Sequence, residues 1–390
     1  MNKNPTLSSQ NGGDYNPQGF VVVNNEKTES VSLDANIELK LPPCITDGSQ
    51  LIDMQIEEIS KLFGLFPMVG LWFLVGASDT GKSMILRQLA LSVAGQIDFL
   101  GNQFNGKHGR ALYISTEDDK MSIAFLVRKQ NQTLKVSKDK LKNFLCTTDS
   151  DNLIEILRSV LEDFSVDLIV LDAFGDLYTA KDLNQNNQVR QFLQPFSDIA
   201  IKYECSVCFL HHTGKRTEEL APSKNNVIGS QAIEAKSRCV IEFRKDSSES
   251  NLRHFCIVKA NYLAESEKVA SYVLRMDENL CFDITGDRVD FESLKSGGKN
   301  GETKKVKISP SSYEDKTHVQ FLRDTFQSVE TIYTAGKLRE QIEIRFVCSD
   351  KPAREFIKHY ERKGWIKNLA KPSSSSYQYA IIPEQMNIAF

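Results

Sequence analysis

Residues 76–83 restrict the possible folds of this chain more than any other segment. They are Gly-Ala-Ser-Asp-Thr-Gly-Lys-Ser and match the pattern G-x-x-x-x-G-K-[ST]. The glycines let backbone N–H groups face phosphate oxygens, while the lysine supplies a positive charge and the serine a hydroxyl for Mg²⁺. An apolar run at 71–75 precedes the loop and a helical pattern follows it at 82–94. This context predicts a phosphate-binding loop formed by Gly76, Ala77, Ser78, Asp79, Thr80, Gly81, Lys82, Ser83 and Met84.

Strand and helix patterns alternate along the first two thirds of the chain. This alternation predicts a parallel sheet with helices on its faces. The predicted strands lie at 71–75, 111–115, 167–171 and 206–210, and the predicted helices at 82–94, 152–163 and 188–203. Three strand-like runs without intervening helices then follow at 239–244, 254–259 and 270–275. We therefore expect an α/β fold with a mainly parallel sheet and an antiparallel extension.

Changes in composition divide the chain into four predicted parts. Residues 1–40 form a tail rich in Asn, Ser, Gly and Gln, which is typical of disorder. Residues 41–290 form the main domain, which we expect to include a helix over 52–63. Residues 291–314 are rich in Gly, Lys and Ser and predict a linker, followed by a small domain at 315–390.

The overall charge and the cysteines exclude some classes of protein. A net charge of -3 argues against a wholly basic nucleic-acid coat protein, although a local basic site remains compatible with it. The 8 cysteines contain no CxxC pair, so we expect reduced thiols rather than a zinc site. No signal peptide and no membrane-length apolar run is apparent, which predicts a cytoplasmic protein without membrane contact.

Two acidic residues follow predicted strands and suit nucleotide chemistry. Asp172 ends the apolar run that begins at 167, where a carboxylate helps to hold Mg²⁺ together with Ser83. Glu117 follows the run at 111–115 and is placed to activate a water molecule. Asp118 and Asp119 are rivals for that role, and either also suits the start of a helix.

Adjacent histidines, His211 and His212, follow the predicted strand at 206–210 and precede Thr-Gly-Lys. A polar group at this position is suited to sense the terminal phosphate and to move the loop that follows. A metal site is the alternative, but neighbouring residues at a strand end point to opposite sides, which disfavours a shared ion.

The order of these motifs resembles the RecA-like ATPases of the RepA hexameric helicase type, which are relatives of DnaB and KaiC. The resemblance covers about residues 45–285 and includes Phe-Leu-Gly at 99–101 and His-His-Thr-Gly-Lys at 211–215. It implies a RecA-like fold that binds ATP and Mg²⁺, with Glu117 as catalytic base and His212 as sensor.

The resemblance also implies a homo-oligomer, typically a hexamer, whose active site is shared between subunits. Arg238, which follows the segment 229–237, and Lys259, two residues before Asn261, would act on the γ-phosphate of a neighbouring subunit. A cation supplied in this way stabilises the transition state as an arginine finger does. Arg238 is also compatible with an ordinary surface position.

In such ATPases the loops after the third and fourth strands face the channel of the ring. Here they are residues 179–187 and 213–228, and their basic residues are candidate contacts to single-stranded DNA: Lys181, Lys215, Arg216 and Lys224. These charges are also typical of any solvated loop. Glu218 and Glu219 lie among them and weaken the case for a strongly basic path.

The C-terminal segment has a different charge from the rest of the chain. Residues 301–371 contain 15 Lys and Arg against 10 Asp and Glu, and helical patterns occur at 317–326, 337–346 and 352–362. The last helix, followed by a possible hairpin, resembles the recognition helix and wing of a winged-helix domain. It would present Arg354, Lys358 and Arg362 to duplex DNA. Protein contact or oligomerisation is the alternative use of such a domain.

The sequence therefore supports several functions. The leading expectation is an ATP-driven DNA helicase or DNA replication protein that moves along single-stranded DNA, of a kind found on plasmids and other mobile elements. A KaiC-like ATP-switched regulator or adaptor without unwinding activity is the second. A small-molecule kinase is less well supported, because no Arg-rich lid segment is evident.

Overall fold

The computed structural model describes residues 42, 45–54, 56, 59–178, 185–214, 217–227, 230–295, 308–369 and 377–386. The predicted tail at 1–40 and most of the predicted linker lie outside these residues. By its internal contacts the chain divides into two units, 1–57 and 58–390. The predicted domain boundaries at 290 and 314 fall within the second unit and remain a prediction.

The described part of the first unit contains one short helix, α1 (Gly48–Asp53). It begins at a capping box in which the Asp47 side chain accepts from the Gln50 backbone and Gln50 bonds back. The helix predicted over 52–63 is therefore wrong. The Asp47 cap starts the helix earlier than expected, and residues 61 and 62 belong instead to a strand of the second unit.

The second unit is built on a sheet of nine strands in the order β11-β10-β9-β8-β3-β7-β6-β4-β5. Before it, β1 (Lys61–Leu62) and β2 (Phe66–Pro67) form a separate hairpin. Six strands of the large sheet run parallel: β3 (Gly70–Gly76), β4 (Ala111–Ser115), β5 (Phe144–Thr147), β6 (Leu168–Asp172), β7 (Ser206–His212) and β8 (Cys239–Lys245). The antiparallel extension contains β9 (Leu252–Ala260), β10 (Ala270–Met276) and β11 (Phe282–Asp290). The predicted α/β fold with an antiparallel extension is confirmed.

Helices cover both faces of the parallel part of the sheet. They are α2 (Lys82–Gly95), α3 (Lys120–Leu134), α4 (Leu153–Asp163), α5 (Phe174–Leu177), α6 (Asn186–Lys202) and α7 (Ser230–Lys236). Trp72 and Leu74 of β3 pack in the same core as α2, whereas Phe73 and Val75 pack with α4, α6 and α7. The alternation of side chains along one strand thus serves two cores, which explains why the run at 71–75 is apolar throughout.

Most of the predicted strands and helices are present within one or two residues. The sequence patterns did not predict α3, α5, α7, β1, β2, β5 or β11. The predicted loop at 179–187 is shorter than expected, because α6 already begins at Asn186. No helix in the described part of the chain has the length and apolar character needed to cross a bilayer.

The C-terminal elements form a compact group with a core of their own. In chain order they are α8 (Asp315–Phe326), β12 (Ile332–Thr334), α9 (Ala335–Phe346), α10 (Asp350–Arg362), β13 (Ile366–Asn368) and β14 (Gln378–Ile381). The three helices follow the predicted apolar patterns. The strands form a small antiparallel sheet in the order β12-β14-β13, in which β12 was not predicted.

Candidate nucleotide-binding site

The carboxyl ends of the parallel strands bring the predicted site residues together. Gly76 at the end of β3 pairs with His212 at the end of β7, and Ser115 at the end of β4 pairs with Asp172 at the end of β6. Because β6 and β7 are themselves neighbours, residues distant in sequence meet at one edge of the sheet. Ligands of open α/β sheets bind at this edge.

The loop between β3 and α2 has the backbone that a phosphate cradle requires. Gly81 has φ +95°, which favours glycine, and a Cβ at Gly76 would lie 2.3 Å from the carbonyl oxygen of Phe243. The Thr80 hydroxyl donates to the Ala77 carbonyl across the loop, at 3.1 Å. The loop therefore holds its curled form through its own bonds and through close packing on β8.

Lys82 projects from the first turn of α2 back across this loop. Its ammonium donates to the Ala77 carbonyl at 2.6 Å and lies 3.5 Å from Nδ1 of His212. Burial lowers the pKa of Lys82 to about 8, while nearby carboxylates oppose the shift, chiefly those of Asp172 and Glu117. A partly desolvated ammonium at a helix N-terminus is well suited to bind phosphate.

Asp172 is buried beside the loop and accepts a hydrogen bond from the Tyr113 hydroxyl at 2.5 Å. Burial raises the pKa of Asp172, and the nearby hydroxyls of Tyr113 and Ser83 oppose that shift. The second carboxylate oxygen, Oδ1, is buried and accepts no hydrogen bond from the described residues. An unsatisfied buried oxygen close to a serine hydroxyl fits Mg²⁺, which needs few protein ligands when it also binds phosphate.

Glu117 and His212 meet at the open side of the loop. Oε1 of Glu117 lies 3.6 Å from Nε2 of His212, and the two side chains are 51% and 40% exposed. The opposite ring nitrogen of His212 faces Lys82. The histidine thus connects the loop lysine with a carboxylate that remains accessible to water.

The structure separates Glu117 from its two sequence rivals. Asp118 forms an ion pair with Arg87 at 3.1 Å. Asp119 caps α3, since its carboxylate accepts from the backbone of Ser122 at 2.7 Å. Of the three carboxylates, Glu117 is the one that faces Lys82 and His212.

The two adjacent histidines have different surroundings. His211 is buried and packs edge-on against Phe174, with ring centroids 4.9 Å apart. His212 faces the loop. They point to opposite sides, as expected, and do not share a ligand position. Among the described residues, no group of three or more His, Cys, Asp and Glu is arranged to hold a metal ion.

One family model matches the part of the chain that contains this site. It is AAA_25, described as an AAA domain, and it matches residues 38–218. This segment includes the loop, Glu117, Asp172 and His212. The chain contains a RecA-like P-loop ATPase domain. The RecA-like ATPase expected from the sequence resemblance is thus confirmed.

Two solved structures are similar to more than half of this chain. One, whose title describes it as an ATPase domain, is 13% identical, with a TM-score of 0.45, and the alignment covers 60% of this chain and 95% of that chain. The other, titled "Crystal structure of the RadB recombinase", is 15% identical, with a TM-score of 0.41, covering 57% and 94%. No curated protein matches the chain.

The two residues predicted to act on a neighbouring subunit lie at the opposite edge of the sheet. Cys239, next to Arg238, pairs with Trp72 near the start of β3, and Lys259 pairs with Val240. The seven residues of β3 span roughly 20 Å. Neither residue therefore reaches the phosphate loop of its own RecA-like domain.

These two candidates differ in their contacts. The Lys259 ammonium donates to the carbonyls of Glu234 and Ser237 at the end of α7, the latter at 2.8 Å. Burial lowers the pKa of Lys259. Arg238 is exposed, and its side chain lies against Gly70. Arg238 is thus the more available of the two.

The structure describes only some of the residues predicted to contact DNA. Lys181, Lys215 and Arg216 lie outside the described residues. Lys224 is exposed and forms an ion pair with Glu234. The three basic candidates on α10, which are Arg354, Lys358 and Arg362, are all exposed. Arg354 forms an ion pair with Asp350 at 2.8 Å.

Several residues that shape the site carried no sequence signal. Arg253 of β9 is buried and donates to the Thr80 carbonyl of the phosphate loop at 2.6 Å. Gln88 of α2 exchanges two hydrogen bonds with the backbone of Phe282. Both contacts join segments more than 170 residues apart, so no local pattern could have shown them.

A buried ion pair holds the loop that follows β7. Glu242 and Arg244 project from β8 with their side chains 2% and 5% exposed. Glu242 accepts from the backbone of Ser223, and Arg244 donates to the carbonyls of Thr217 and Leu220. The described part of the loop is thereby fixed to the sheet at several points.

A Ser–His–Asp arrangement elsewhere in the domain has a structural role. His254 contacts Asp246 at 2.9 Å and Ser271 at 3.0 Å, but His254 and Ser271 lie on strands of the packed antiparallel extension, and Asp246 lies in the connection that leads into it. His254 and Ser271 are fully buried, and the serine hydroxyl contacts the Val289 carbonyl. A nucleophile without access to solvent has no substrate to attack.

Proposed function

We propose that this chain is an ATP-hydrolysing, RepA-like DNA helicase or replication protein that translocates on single-stranded DNA. The convergence of Lys82, Glu117, Asp172 and His212 at one sheet edge carries the proposal for ATP hydrolysis. The order of sequence motifs supports the helicase assignment. The expected plasmid or mobile-element origin rests on that resemblance alone.

Each residue of the site has a proposed task. The backbone of 76–83 and the Lys82 ammonium bind the phosphates, and Ser83 with Asp172 would hold Mg²⁺. When bound, Mg²⁺ supplies positive charge against the β- and γ-phosphate oxygens. Tyr113 orients Asp172 through its hydroxyl, which leaves Oδ1 for that ion.

Glu117 takes a proton from the attacking water. Its exposure admits the water, while Lys82 stabilises the carboxylate electrostatically. His212 lies between Glu117 and Lys82 and ends β7, so it senses the phosphate and passes the change to residues 213–228. The contacts of Arg244 and Glu242 would carry that movement to β8.

The proposed hexamer completes the site with a cation from the neighbouring subunit. Arg238 supports this arrangement, because it is exposed at the sheet edge opposite the phosphate loop. A head-to-tail ring brings two different surfaces of neighbouring subunits together, and we propose that this edge of one subunit faces the nucleotide of the next. Lys259 would have to leave two backbone carbonyls to do the same.

We further propose that residues 315–390 form a winged-helix-like domain that contacts duplex DNA. The described elements run in the order helix, strand, helix, helix, strand, strand, and α10 presents an exposed basic face. Replacing Arg354, Lys358 and Arg362 with alanine should lower the salt dependence of DNA affinity, with up to about three fewer phosphate contacts. An unchanged slope would favour a protein-binding role.

The alternative is a KaiC-like ATP-switched regulator or adaptor. Two observations favour it: the loop after β7 contains Glu218 and Glu219, and Lys224 is paired with Glu234. Both reduce the positive charge available to a strand of DNA. Such a protein would bind ATP and assemble without unwinding a duplex.

The ATPase rate of the full chain with and without single-stranded DNA tests the proposal, with Lys82→Ala as the control. Stimulation by DNA that is absent in the control supports a DNA motor. A strand-displacement assay then separates the two functions, because a regulator leaves the duplex intact at any ATP concentration.

A further inference from the structure

Glu117 has few contacts of its own, yet it must face the phosphate loop. It is half exposed, and among the described residues the ion-pair partner of its carboxylate is His212, at 3.6 Å. A base held so loosely depends on its neighbours in the chain for its position. The contacts of Thr116 and Asp118, which flank it, therefore decide where its carboxylate lies.

Thr116 anchors the first side of Glu117 to the end of β6. Its backbone N–H donates to the Asp172 carbonyl at 2.7 Å, and its hydroxyl accepts from the Ala173 backbone at 3.0 Å. The same hydroxyl lies 2.6 Å from Oδ2 of Asp176. This side of the turn is thus tied to the strand that carries Asp172.

Asp118 anchors the other side to α2. Its carboxylate accepts from Nη2 of Arg87 at 3.1 Å, and its backbone N–H donates to the Ser115 hydroxyl at 3.1 Å. Arg87 lies four residues after Ser83, one helical turn along the same face. Helix α2 therefore contains Lys82 and Ser83 of the phosphate loop as well as Arg87, the partner of Asp118.

Arg87 is an unusual residue for its position. It is 1% exposed, and two of its guanidinium nitrogens, Nε and Nη1, have no hydrogen-bond partner among the described residues. The guanidinium lies 5.6 Å from the centre of the Tyr113 ring. A buried charge with so few bonds is costly, and an apolar side chain of similar size would often serve stability as well or better.

We propose that the Arg87–Asp118 ion pair positions Glu117 for catalysis by fixing the turn between β4 and α3 to the phosphate-loop helix. The inference rests on the proposed role of Glu117 as base. In this proposal Arg87 and Asp118 are positioning residues, which act on the reaction only through Glu117. Their effect on turnover passes through the orientation of the Glu117 carboxylate.

The test compares Asp118→Asn and Arg87→Met with the wild-type chain. Both should lower kcat by about 10- to 100-fold, because a small displacement of a catalytic group has a cost of this size. The affinity for a fluorescent ADP analogue should stay within about threefold, since the loop contacts of Lys82 are retained. The double variant Arg87→Met, Asp118→Leu should unfold at the same temperature or higher while remaining slow.

A second buried arginine–carboxylate pair provides the matched control. Arg288 and Glu267 are also 3.1 Å apart, with the arginine side chain 4% exposed, but they join β11 to the β9–β10 connection. Glu267→Gln removes the charge from this pair as Asp118→Asn does from the first. It should leave kcat unchanged, which separates loss of position from general loss of a buried ion pair.

A double-mutant cycle shows whether the pair acts through Glu117. In a Glu117→Gln background, Asp118→Asn should slow single-turnover hydrolysis by less than about twofold. Independent, multiplying losses would overturn the inference, as would a fully active Asp118→Asn variant. Full activity of Glu117→Gln alone would instead remove the proposed base and with it the premise, which is a distinguishable result.

Discussion

Two lysines at opposite edges of the same sheet show how similar groups acquire different tasks. Lys82 and Lys259 are both partly withdrawn from solvent, both donate to backbone carbonyls, and burial lowers the pKa of each. Their surroundings differ. The carboxylates of Asp172, Glu117, Asp79 and Glu218 act on Lys82, whereas the charges that act on Lys259 are those of Glu234 and Lys224.

The difference follows from strand direction. Three neighbouring parallel strands, β4, β6 and β7, end in Ser115, Asp172 and His212 at the carboxyl edge, so polar and acidic groups collect around Lys82. At the other edge Lys259 satisfies carbonyls that α7 leaves unpaired at its end. The comparison teaches that a buried lysine indicates a phosphate site only when acidic groups and a helix N-terminus accompany it.

The largest expected loss of ATP hydrolysis comes from a substitution at the carboxyl edge of the sheet. Lys82→Ala should lower ATP hydrolysis by about 10³-fold, because the substitution removes the cation that faces the phosphates. Lys259→Ala measured in the same assay should lower it by only a small factor. Equal losses in the two variants would break the distinction between the edges.

A smaller effect is expected from Arg238→Ala, which should reduce turnover by about 10²-fold with little change in nucleotide affinity. The decisive measurement mixes this variant with Lys82→Ala. If the arginine acts on a neighbouring subunit, mixed oligomers contain some intact sites and regain activity. Lys107→Ala is the control, since Lys107 pairs with Glu204 in an exposed ion pair and lies beside Asp167 at the same edge.

Raising the pH should weaken ATP binding at the carboxyl edge. With a pKa of about 8 in the folded protein, Lys82 loses its charge above that pH, so affinity should fall by up to about tenfold per pH unit. For stability the sign is opposite. Between about pH 8 and 10.5 the unfolded chain binds more protons at this lysine, so its contribution to the free energy of unfolding rises with pH.

These two trends are measured by nucleotide titration and by chemical denaturation across pH 7 to 10, values chosen to bracket the lowered pKa of about 8. The opposing result is a nucleotide affinity that falls with pH without a transition between about pH 8 and the usual range of lysine pKa values. Such a result would contradict the conclusion that burial lowers the pKa of Lys82. The Lys259→Ala variant should show the same affinity profile as wild type.

The smallest expected effect is on stability at the amino edge. Lys259→Ala should lower the free energy of unfolding by about 1–3 kcal/mol, because the α7 carbonyls lose a charged donor. Urea denaturation without nucleotide measures this change. A stability equal to wild type would show that the lysine is free to leave its carbonyls, and would strengthen it as a rival to Arg238.

The local patterns of the sequence predicted a large part of the fold. Contiguous apolar runs and helical spacing located the strands and helices around the phosphate loop, because those signals depend on a few adjacent residues. The helix expected at 52–63 was wrong because the Asp47 cap starts the helix at Gly48 and α1 ends at Asp53. The strands β5, β11 and β12 were missed, since their patterns are short or only partly buried.

The sequence by itself determined the identity of the phosphate loop, since its glycines, lysine and serine act within one contiguous turn. It also supplied the alternation of strands and helices, which predicts a parallel sheet and so places Asp172 and His212 at the same edge. Only the tertiary structure separated the three carboxylates that follow β4, by pairing Asp118 with Arg87 and placing Glu117 beside His212. It likewise revealed the hydrogen bond from Arg253 to the Thr80 carbonyl, which joins residues 173 positions apart. Contacts between such distant segments depend on how the sheet is assembled and not on local spacing.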